Sequence, residues 1–198
     1  MRKHFLNMIL CVVVSACASI SSEEVNFNKV SIEEPKDLSL EDQFVAEEIT
    51  PDQLKAFETR AIEKLKDFAD YILILSDSTY AEGFRANAET QASKLFIELS
   101  EINLFDGQNN LTVENFLSTI KELKISSLEI IEPNILQPLH FTTKDHYKGL
   151  LSFKISISGD QFSNTSLTKT ADFFLMKKQK SFGTHDMMVW EISLGDIR

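Results

Sequence analysis

Cysteine is nearly absent from this chain, and glycine and proline are scarce. The 198 residues include 2 Cys, 6 Gly and 4 Pro. Both cysteines, Cys11 and Cys17, lie near the N-terminus, so the rest of the chain cannot hold a disulfide framework. With 43% hydrophobic residues and so little glycine and proline, the composition excludes a low-complexity chain and indicates a globular domain.

Positive charge is also in short supply. Twenty Lys and Arg face 30 Asp and Glu, for a formal net charge of -10. An acidic surface repels phosphate backbones, so we expect no nucleic-acid partner. The sequence also lacks a Gly-rich phosphate loop, a nucleophile elbow and a Cys-pair zinc site, and we therefore expect no cofactor.

The first residues have the three-part layout of a secretory signal peptide. Residues 1–4 form a short basic segment, and residues 5–15 are apolar apart from Asn7. The apolar stretch is shorter than the roughly 20 residues that a transmembrane helix needs. Small residues follow it, as they do before a signal-peptidase site. We therefore predict that the chain is exported.

The cleavage region Val14-Ser15-Ala16-Cys17 resembles the bacterial lipobox. The resemblance implies that residues 1–16 are removed and that Cys17 is acylated, with membrane lipid as its partner. Ala18, where an Asp would signal retention, resembles the pattern of outer-membrane lipoproteins, facing the periplasm or the cell surface. The alternatives are an uncleaved anchor and an ordinary signal peptide cut elsewhere.

Residues 17–49 read as an acidic tether. Residues 18–50 hold nine Asp or Glu and two Lys. A segment of this kind buries too little apolar surface to offset its chain entropy, and like charges keep it extended. The alternative is that its few apolar residues dock on the domain as a strand or short helix: Leu38, Leu40, Phe44 and Val45.

Three helices are predicted at the start of the domain, residues 50–198. Thr50, Pro51 and Gln53 form a helix start with a capping box, and apolar residues then recur at steps of three and four over about twenty residues. Thr79 and Glu82 predict a second capping box. The second apolar stripe comprises Phe84, Ala88, Ala92, Leu95, Phe96 and Leu99. Thr112 is the predicted N-cap of a short third helix containing Val113, Phe116, Leu117 and Ile120.

Alternating apolar residues then predict about five strands. They cover residues 125–131, 139–143, 151–158, 168–177 and 187–193, the first ending at Glu132-Pro133-Asn134 and the last placing Met188, Trp190 and Ile192 on one face. Short loops favour an antiparallel meander. Helices followed by strands indicate the α+β class, with three helices packed on one face of a curved antiparallel sheet.

This order of elements over residues 50–198 resembles the nuclear transport factor 2-like cone fold, also seen in SnoaL-like and polyketide cyclase-type proteins. The resemblance implies a pocket inside the cone, where enzymes of this kind often use a His/Asp pair. No motif assigns such a role to a residue of this chain. The competing fold is a small α+β sandwich without a pocket.

Several residues are of the types that form metal-binding, catalytic or ligand-binding sites. His140, Asp145 and His146 could bind zinc or exchange protons, but Thr142-Thr143-Lys144 between them is typical of a turn and favours a solvated loop. Asp67 and Asp70 could act as acids or bases from the first helix, or lie on its solvated face. The apolar residues Phe173, Phe174 and Trp190 could form the floor of a pocket or belong to the core. The lysines Lys177, Lys178 and Lys180 could bind an anion or lie on a solvated turn.

The sequence therefore predicts a membrane-anchored envelope lipoprotein whose domain binds a small apolar ligand or an envelope protein without catalysis. The first alternative is a cone-fold enzyme with an acid–base pair in its pocket. The second is an accessory subunit of an envelope complex, which an exposed apolar patch would mark.

Overall fold

A computed structural model describes residues 49–105, 110–143, 145–183 and 185–198. The predicted signal peptide, Cys17 and the tether as far as residue 48 lie outside this part. None of the helices in the described residues combines the length and apolar character that crossing a bilayer requires. The helices are α1 (Pro51–Ser76), α2 (Glu82–Ser93) and α3 (Val113–Ile120). The strands are β1 (Glu101–Ile102), β2 (Leu111–Thr112), β3 (Ile125–Thr143), β4 (His146–Gly159), β5 (Phe162–Phe182) and β6 (His185–Ile197).

Helix α1 begins where the capping box predicts. Gln53 N donates to Thr50 Oγ1 at 3.3 Å, and Thr50 N donates to Gln53 Oε1 at 2.8 Å. The side chain of Arg85 stabilises the other end by donating two hydrogen bonds to the Leu75 carbonyl oxygen, at 2.9 and 3.0 Å. In the predicted apolar stripe, Ala61, Leu65, Phe68 and Ile72 are buried, whereas Leu54 and Phe57 at its start are partly exposed.

The second capping box is wrong. Thr79 instead donates its backbone N–H and its hydroxyl to Asp77 Oδ1, at 2.9 and 2.7 Å. Helix α2 therefore starts at Glu82 without a side-chain cap and ends at Ser93, earlier than the apolar stripe predicts. Ala88 and Ala92 are buried, while Leu99 lies beyond the helix and is 91% exposed.

Helix α3 is confirmed at its cap and on its apolar face. Asn115 N donates to Thr112 Oγ1 at 3.4 Å. All four predicted core residues of this helix are buried: Val113, Phe116, Leu117 and Ile120. Phe116 lies against Phe68 of α1, with ring centroids 6.0 Å apart, so α3 closes one side of the core.

The sheet has six strands in the order β2-β1-β6-β5-β4-β3. Strands β3 to β6 form the predicted antiparallel meander, whereas β1 pairs in parallel with β6 at Ile102 and Ile197. Strands β1 and β2 have two residues each and are too short for an alternating pattern, so the sequence predicts neither. Helix α1 packs against β3 and β6, the two outer strands of the meander, so the sheet curves around it.

Strand β3 continues through the position where the sequence predicts its end. Glu132 adopts a positive φ of 51°, and the pairing register with β4 shifts between Ile131 and Asn134. This irregularity accommodates Pro133. An edge strand tolerates a proline where the missing N–H would face away from the neighbouring strand. The two predicted strands at 125–131 and 139–143 are therefore one strand.

The space between α1 and the sheet is filled by side chains. The inward residues of β4 alternate as predicted, and Phe153 is 2% exposed. Phe173 of β5 is fully buried, and its ring occupies the space that a side chain at Gly149 would need. Trp190 and Ile192 of β6 are also buried. Met188 is 50% exposed because the β5–β6 hairpin extends beyond the last pairing of β5 with β4.

Candidate functional site

An open groove lies at the C-terminal end of α1, and we call it the end groove. Its volume is about 420 Å³. Its walls come from the last turn of α1, the turn that follows, the start of β3 and the turn between β4 and β5. The lining residues are Leu73, Ile74, Ser76, Asp77, Ser78, Tyr80, Lys124, Ile125, Ser126 and Asp160.

Two close contacts hold the walls of the end groove together. Ser76 Oγ lies 3.0 Å from the Leu73 carbonyl oxygen and 3.4 Å from that of Ile125, so it joins α1 to β3. Asp160 N donates to the Lys124 carbonyl oxygen at 3.1 Å. A Cβ at Gly159 would overlap the same oxygen, so only glycine fits where the β4–β5 turn meets β3.

The charged groups of the end groove lie at its rim. Lys124 Nζ and Asp160 Oδ2 are 3.7 Å apart, and both side chains are more than two-thirds exposed. The pKa of Asp77 is lowered, mainly by the hydroxyl and then by the backbone N–H of Thr79. A carboxylate of this kind stays ionised at neutral pH and is poorly suited to general acid–base catalysis.

The lining of the end groove combines apolar and polar groups. Leu73, Ile74 and Ile125 supply aliphatic surface, and Tyr80, 45% exposed, stands at the edge. Hydroxyl groups of Ser78 and Ser126 lie among them. The volume of the groove is in the range of small-molecule binding sites. The arrangement can bind and orient a ligand.

The structure does not gather the histidines into a metal site. His140 Nδ1 lies 3.3 Å from the Pro138 carbonyl oxygen, and His146 Nδ1 lies 3.0 Å from Thr143 Oγ1. Asp145 pairs instead with Lys177, at 3.7 Å. In the described ranges, no group of three His, Cys, Asp or Glu side chains is placed to hold a metal ion.

The two aspartates of α1 do not reach the end groove. Asp70 is exposed and Asp67 is half-buried, and neither belongs to the groove lining. These positions fit the alternative of a solvated helix face.

Of the two alternatives for Phe173, Phe174 and Trp190, a pocket floor or the core, the structure fits the core for two of the three residues. Phe173 and Trp190 are buried in the core, whereas Phe174 lies on the opposite face of β5. Lys148 Nζ lies 5.2 Å from the Phe174 ring centroid, and its ammonium group is 3.1 Å from the buried Asp172 carboxylate. Neighbouring residues of a strand point to opposite faces, so Phe173 and Phe174 cannot share one pocket floor.

The lysines of the β5–β6 hairpin separate into two groups. Lys177 lies over the Trp190 ring, 5.1 Å from its centroid. Lys178 and Lys180 approach Glu191. They belong to a charge cluster that the sequence does not predict, because its third lysine, Lys64, comes from α1.

The end groove was also missed in the sequence. In the sequence, Ser76-Asp77-Ser78 indicates no more than a break between two helices. Its partners, Lys124 to Ser126 and Asp160, follow about 50 and 80 residues later, and no local pattern connects them. The available signal is the apolar last turn of α1, where Leu73 and Ile74 exceed what one buried face requires.

Comparison with known proteins gives structural similarity alone. No family model matches the chain, and no curated protein matches it. A provisionally assigned scytalone dehydratase from Novosphingobium aromaticivorans DSM 12444 has 12% identity and a TM-score of 0.35, over 74% of this chain and 90% of that one. An epoxide hydrolase/cyclase-like enzyme of pyran ring formation in the polyether salinomycin has 10% identity and a TM-score of 0.29, over 71% and 95%. A provisionally assigned polyketide cyclase from Xanthomonas campestris pv. campestris has 6% identity and a TM-score of 0.30, over 69% and 89%. At these values the similarity assigns no activity to the chain.

Proposed function

We propose that this chain is a lipoprotein of the bacterial cell envelope, anchored in the outer membrane through acylated Cys17. Its α+β domain is a non-catalytic binding module that holds a small, largely apolar ligand in the end groove. We also propose the nuclear transport factor 2-like cone as the architecture of the domain. Three helices before a meander, and a sheet that curves around α1, support that architecture.

The end groove carries the binding proposal. Leu73 and Ile74 belong to the same helix as the core stripe, yet both remain partly exposed at its last turn. Covering them with an apolar ligand would remove this surface from water at about 25 cal/mol per Å². The surrounding hydroxyls and the Lys124–Asp160 pair would orient the polar end of that ligand.

The packing beneath α1 weighs against the enzyme alternative. A cone-fold enzyme needs an acid–base pair beside an internal cavity. In the described residues the corresponding space holds large, fully buried side chains: Phe68, Phe116, Phe153 and Phe173. Two carboxylates, Asp77 and Asp160, line the open end groove instead.

One observation favours the accessory-subunit alternative. Tyr80 and Phe84 are 45% and 48% exposed, and their ring centroids are 5.2 Å apart. Tyr80 also lines the end groove. An exposed aromatic pair beside a groove is a suitable contact for a partner protein. A protein partner would therefore cover the rings and the groove together.

Native mass spectrometry of the full chain in detergent micelles tests the ligand. We expect a mass above that of the lipoprotein, and its loss in Ser126→Trp, whose ring would fill the end groove. Ser127→Trp is the matched control, because both serines are exposed and bond to Ser158 but only Ser126 lines the groove. Retention of the extra mass in both variants would place the ligand elsewhere. A clean mass with co-purifying envelope protein would favour the accessory subunit.

Membrane fractionation tests the anchor independently. Cys17→Ala should accumulate as uncleaved precursor or leave the washed membrane fraction, because its sulfur can no longer carry an acyl chain. Radiolabelled palmitate should enter the wild type and not the variant. A Cys17→Ala chain that is still labelled would disprove acylation at this residue.

A further inference from the structure

Three lysines surround one glutamate where α1 meets the β5–β6 hairpin, and we call this group the lysine cluster. The Nζ atoms of Lys64, Lys178 and Lys180 lie 3.9, 3.8 and 3.2 Å from carboxylate oxygens of Glu191. Lys178 also donates to Ser193 Oγ at 3.1 Å. The chain thus gathers ammonium groups from two distant segments around a single carboxylate.

One glutamate cannot neutralise three ammonium groups. The other carboxylates of the hairpin have partners of their own: Asp186 bonds to Gln179 at 2.9 Å and to the Ser181 hydroxyl, and Asp172 and Asp196 pair with Arg198. Arg60, one helical turn before Lys64, pairs with Glu63 at 2.6 Å. The lysine cluster therefore keeps an excess of positive charge, although the whole chain carries -10.

The excess charge is held partly away from water. The side chain of Lys64 is 12% exposed, and that of Glu191 is 23% exposed. Burial lowers the pKa of Lys64, against the raising effect of Glu191, and the cations Lys178, Arg60 and Lys180 lower it further. An additional anion would relieve this repulsion, since charge interactions strengthen where solvent screening is reduced.

The geometry points to a phosphate group. Lys178 and Lys180 are 38% and 46% exposed, so their ammonium groups can be reached from solvent. An ammonium group binds phosphate as a point charge, and a phosphate presents several oxygens to several lysines at once. The planar fork of arginine matches carboxylates and phosphates alike, but no arginine pairs with Glu191 in the described part of the chain, so the site offers point charges alone.

We propose that the lysine cluster of Lys64, Lys178 and Lys180 is a binding site for a phosphate group, carried by a lipid headgroup or by a free phosphorylated compound. Glu191 positions the three ammonium groups, and the ligand binds on the solvent side of Lys178 and Lys180. This site shares no residue with the end groove, and the proposal does not depend on acylation of Cys17.

Calorimetric titration of the full chain in detergent with inorganic phosphate tests the site, with chloride at equal ionic strength as the reference. We expect saturable binding, weakened roughly tenfold by Lys178→Met or Lys180→Met, which each remove one charge-assisted hydrogen bond. Lys66→Met, an exposed lysine of the same helix as Lys64, should leave the affinity unchanged. Glu191→Gln should bind phosphate several-fold more tightly, because it removes the only carboxylate described within the cluster.

Lysine acetylation on vesicles identifies the source of the phosphate. If a lipid headgroup is the ligand, phosphatidylglycerol vesicles should slow acetylation of Lys178 and Lys180 relative to Lys66, and phosphatidylcholine vesicles should not. Protection by inorganic phosphate and by neither vesicle supports a free phosphorylated compound. The proposal is overturned if neither phosphate nor phosphatidylglycerol protects these lysines, or if Lys178→Met and Lys180→Met bind phosphate as the wild type does. Loss of the anchor would show separately, as failure to associate with either vesicle.

Discussion

The core beneath α1 and the end groove are built from the same helix but filled differently. Beneath the helix, Ile72 and Phe68 are enclosed by side chains of α3 and the sheet and are at most 1% exposed. The next two residues along the chain, Leu73 and Ile74, are partly exposed and line an open groove, and Leu75 after them is again fully buried. The apolar character of these residues is equal, so the difference arises from the side of the helix on which each one lies.

The boundary between the two regions is set by β3. Ser76 bonds to the Ile125 carbonyl oxygen at the first residue of this strand, and Lys124 before it already lines the groove. The last turn of α1 therefore has two sides, with Leu75 and Ser76 buried and Leu73 and Ile74 partly exposed at the groove. An apolar residue of this turn is core on one side of the helix and binding surface on the other.

Truncating neighbouring isoleucines of α1 should separate the two regions most strongly. Ile72→Ala removes a fully buried side chain and should lower the free energy of unfolding by about 2–5 kcal/mol. Ile74→Ala should cost less than about 1 kcal/mol, because Ile74 already contacts solvent. Urea unfolding measures both. Equal losses would mean that Ile74 is core and that the end groove is closed in solution.

The same pair also tests the ligand. Ile74→Ala should weaken or abolish the extra mass in native mass spectrometry, whereas Ile72→Ala should keep it as long as the protein is folded. A reversed pattern would place the ligand inside the core rather than in the end groove.

Gly159→Ala should have the next largest effect, because it disturbs the wall of the end groove. The added methyl group would meet backbone atoms of Lys124 and Ile125, so the β4–β5 turn must shift. Overpacking of this kind costs about 1–3 kcal/mol. Gly83→Ala in α2 is the control, since open space surrounds that position, and it should stabilise the protein by about 0.5–1 kcal/mol. Thermal unfolding distinguishes the two, and no loss at Gly159 would contradict the close contact.

Helix positions were predictable from the sequence because the local signals agree. At Thr50 the N-cap, the proline and the apolar stripe all indicate the same start. At Thr79 they do not agree, since Asp77 competes for its hydroxyl and the capping box does not form. Glu132-Pro133 ends a strand by every local rule, but the outer position of β3 lets the strand continue.

The two sites were not predictable because their residues meet only in the folded chain. The end groove joins residues near 76, 125 and 160, and the lysine cluster joins Lys64 to Glu191. His140, Asp145 and His146 are adjacent in sequence and still do not converge, since strand pairing directs them to separate partners. Proximity along the chain is thus a weak guide to a site formed by a long hairpin.

The smallest expected effect concerns Lys64. This residue lies at the edge of the core, away from the charged rim of the end groove. Its pKa in the folded protein lies below the ordinary value of 10.5, chiefly because burial disfavours the ammonium ion. Between the lowered pKa and 10.5 the unfolded chain binds more protons than the folded one, so the stability contributed at Lys64 rises with pH in that window. At neutral pH the residue is charged in both states, and its burial opposes folding.

The free energy of unfolding of Lys64→Met, relative to that of the wild type, should therefore be highest at neutral pH. As the pH approaches 10.5, this difference should shift in favour of the wild type by less than about 1 kcal/mol. Lys66→Met, on the exposed face of α1, should show no such trend. Chemical unfolding at a series of alkaline pH values measures the difference, and a flat profile for Lys64→Met would show that Glu191 already offsets the burial of this lysine. Because the loss of a buried charge and the loss of a solvent-exposed one have different pH profiles, this comparison locates the edge of the core independently of any ligand.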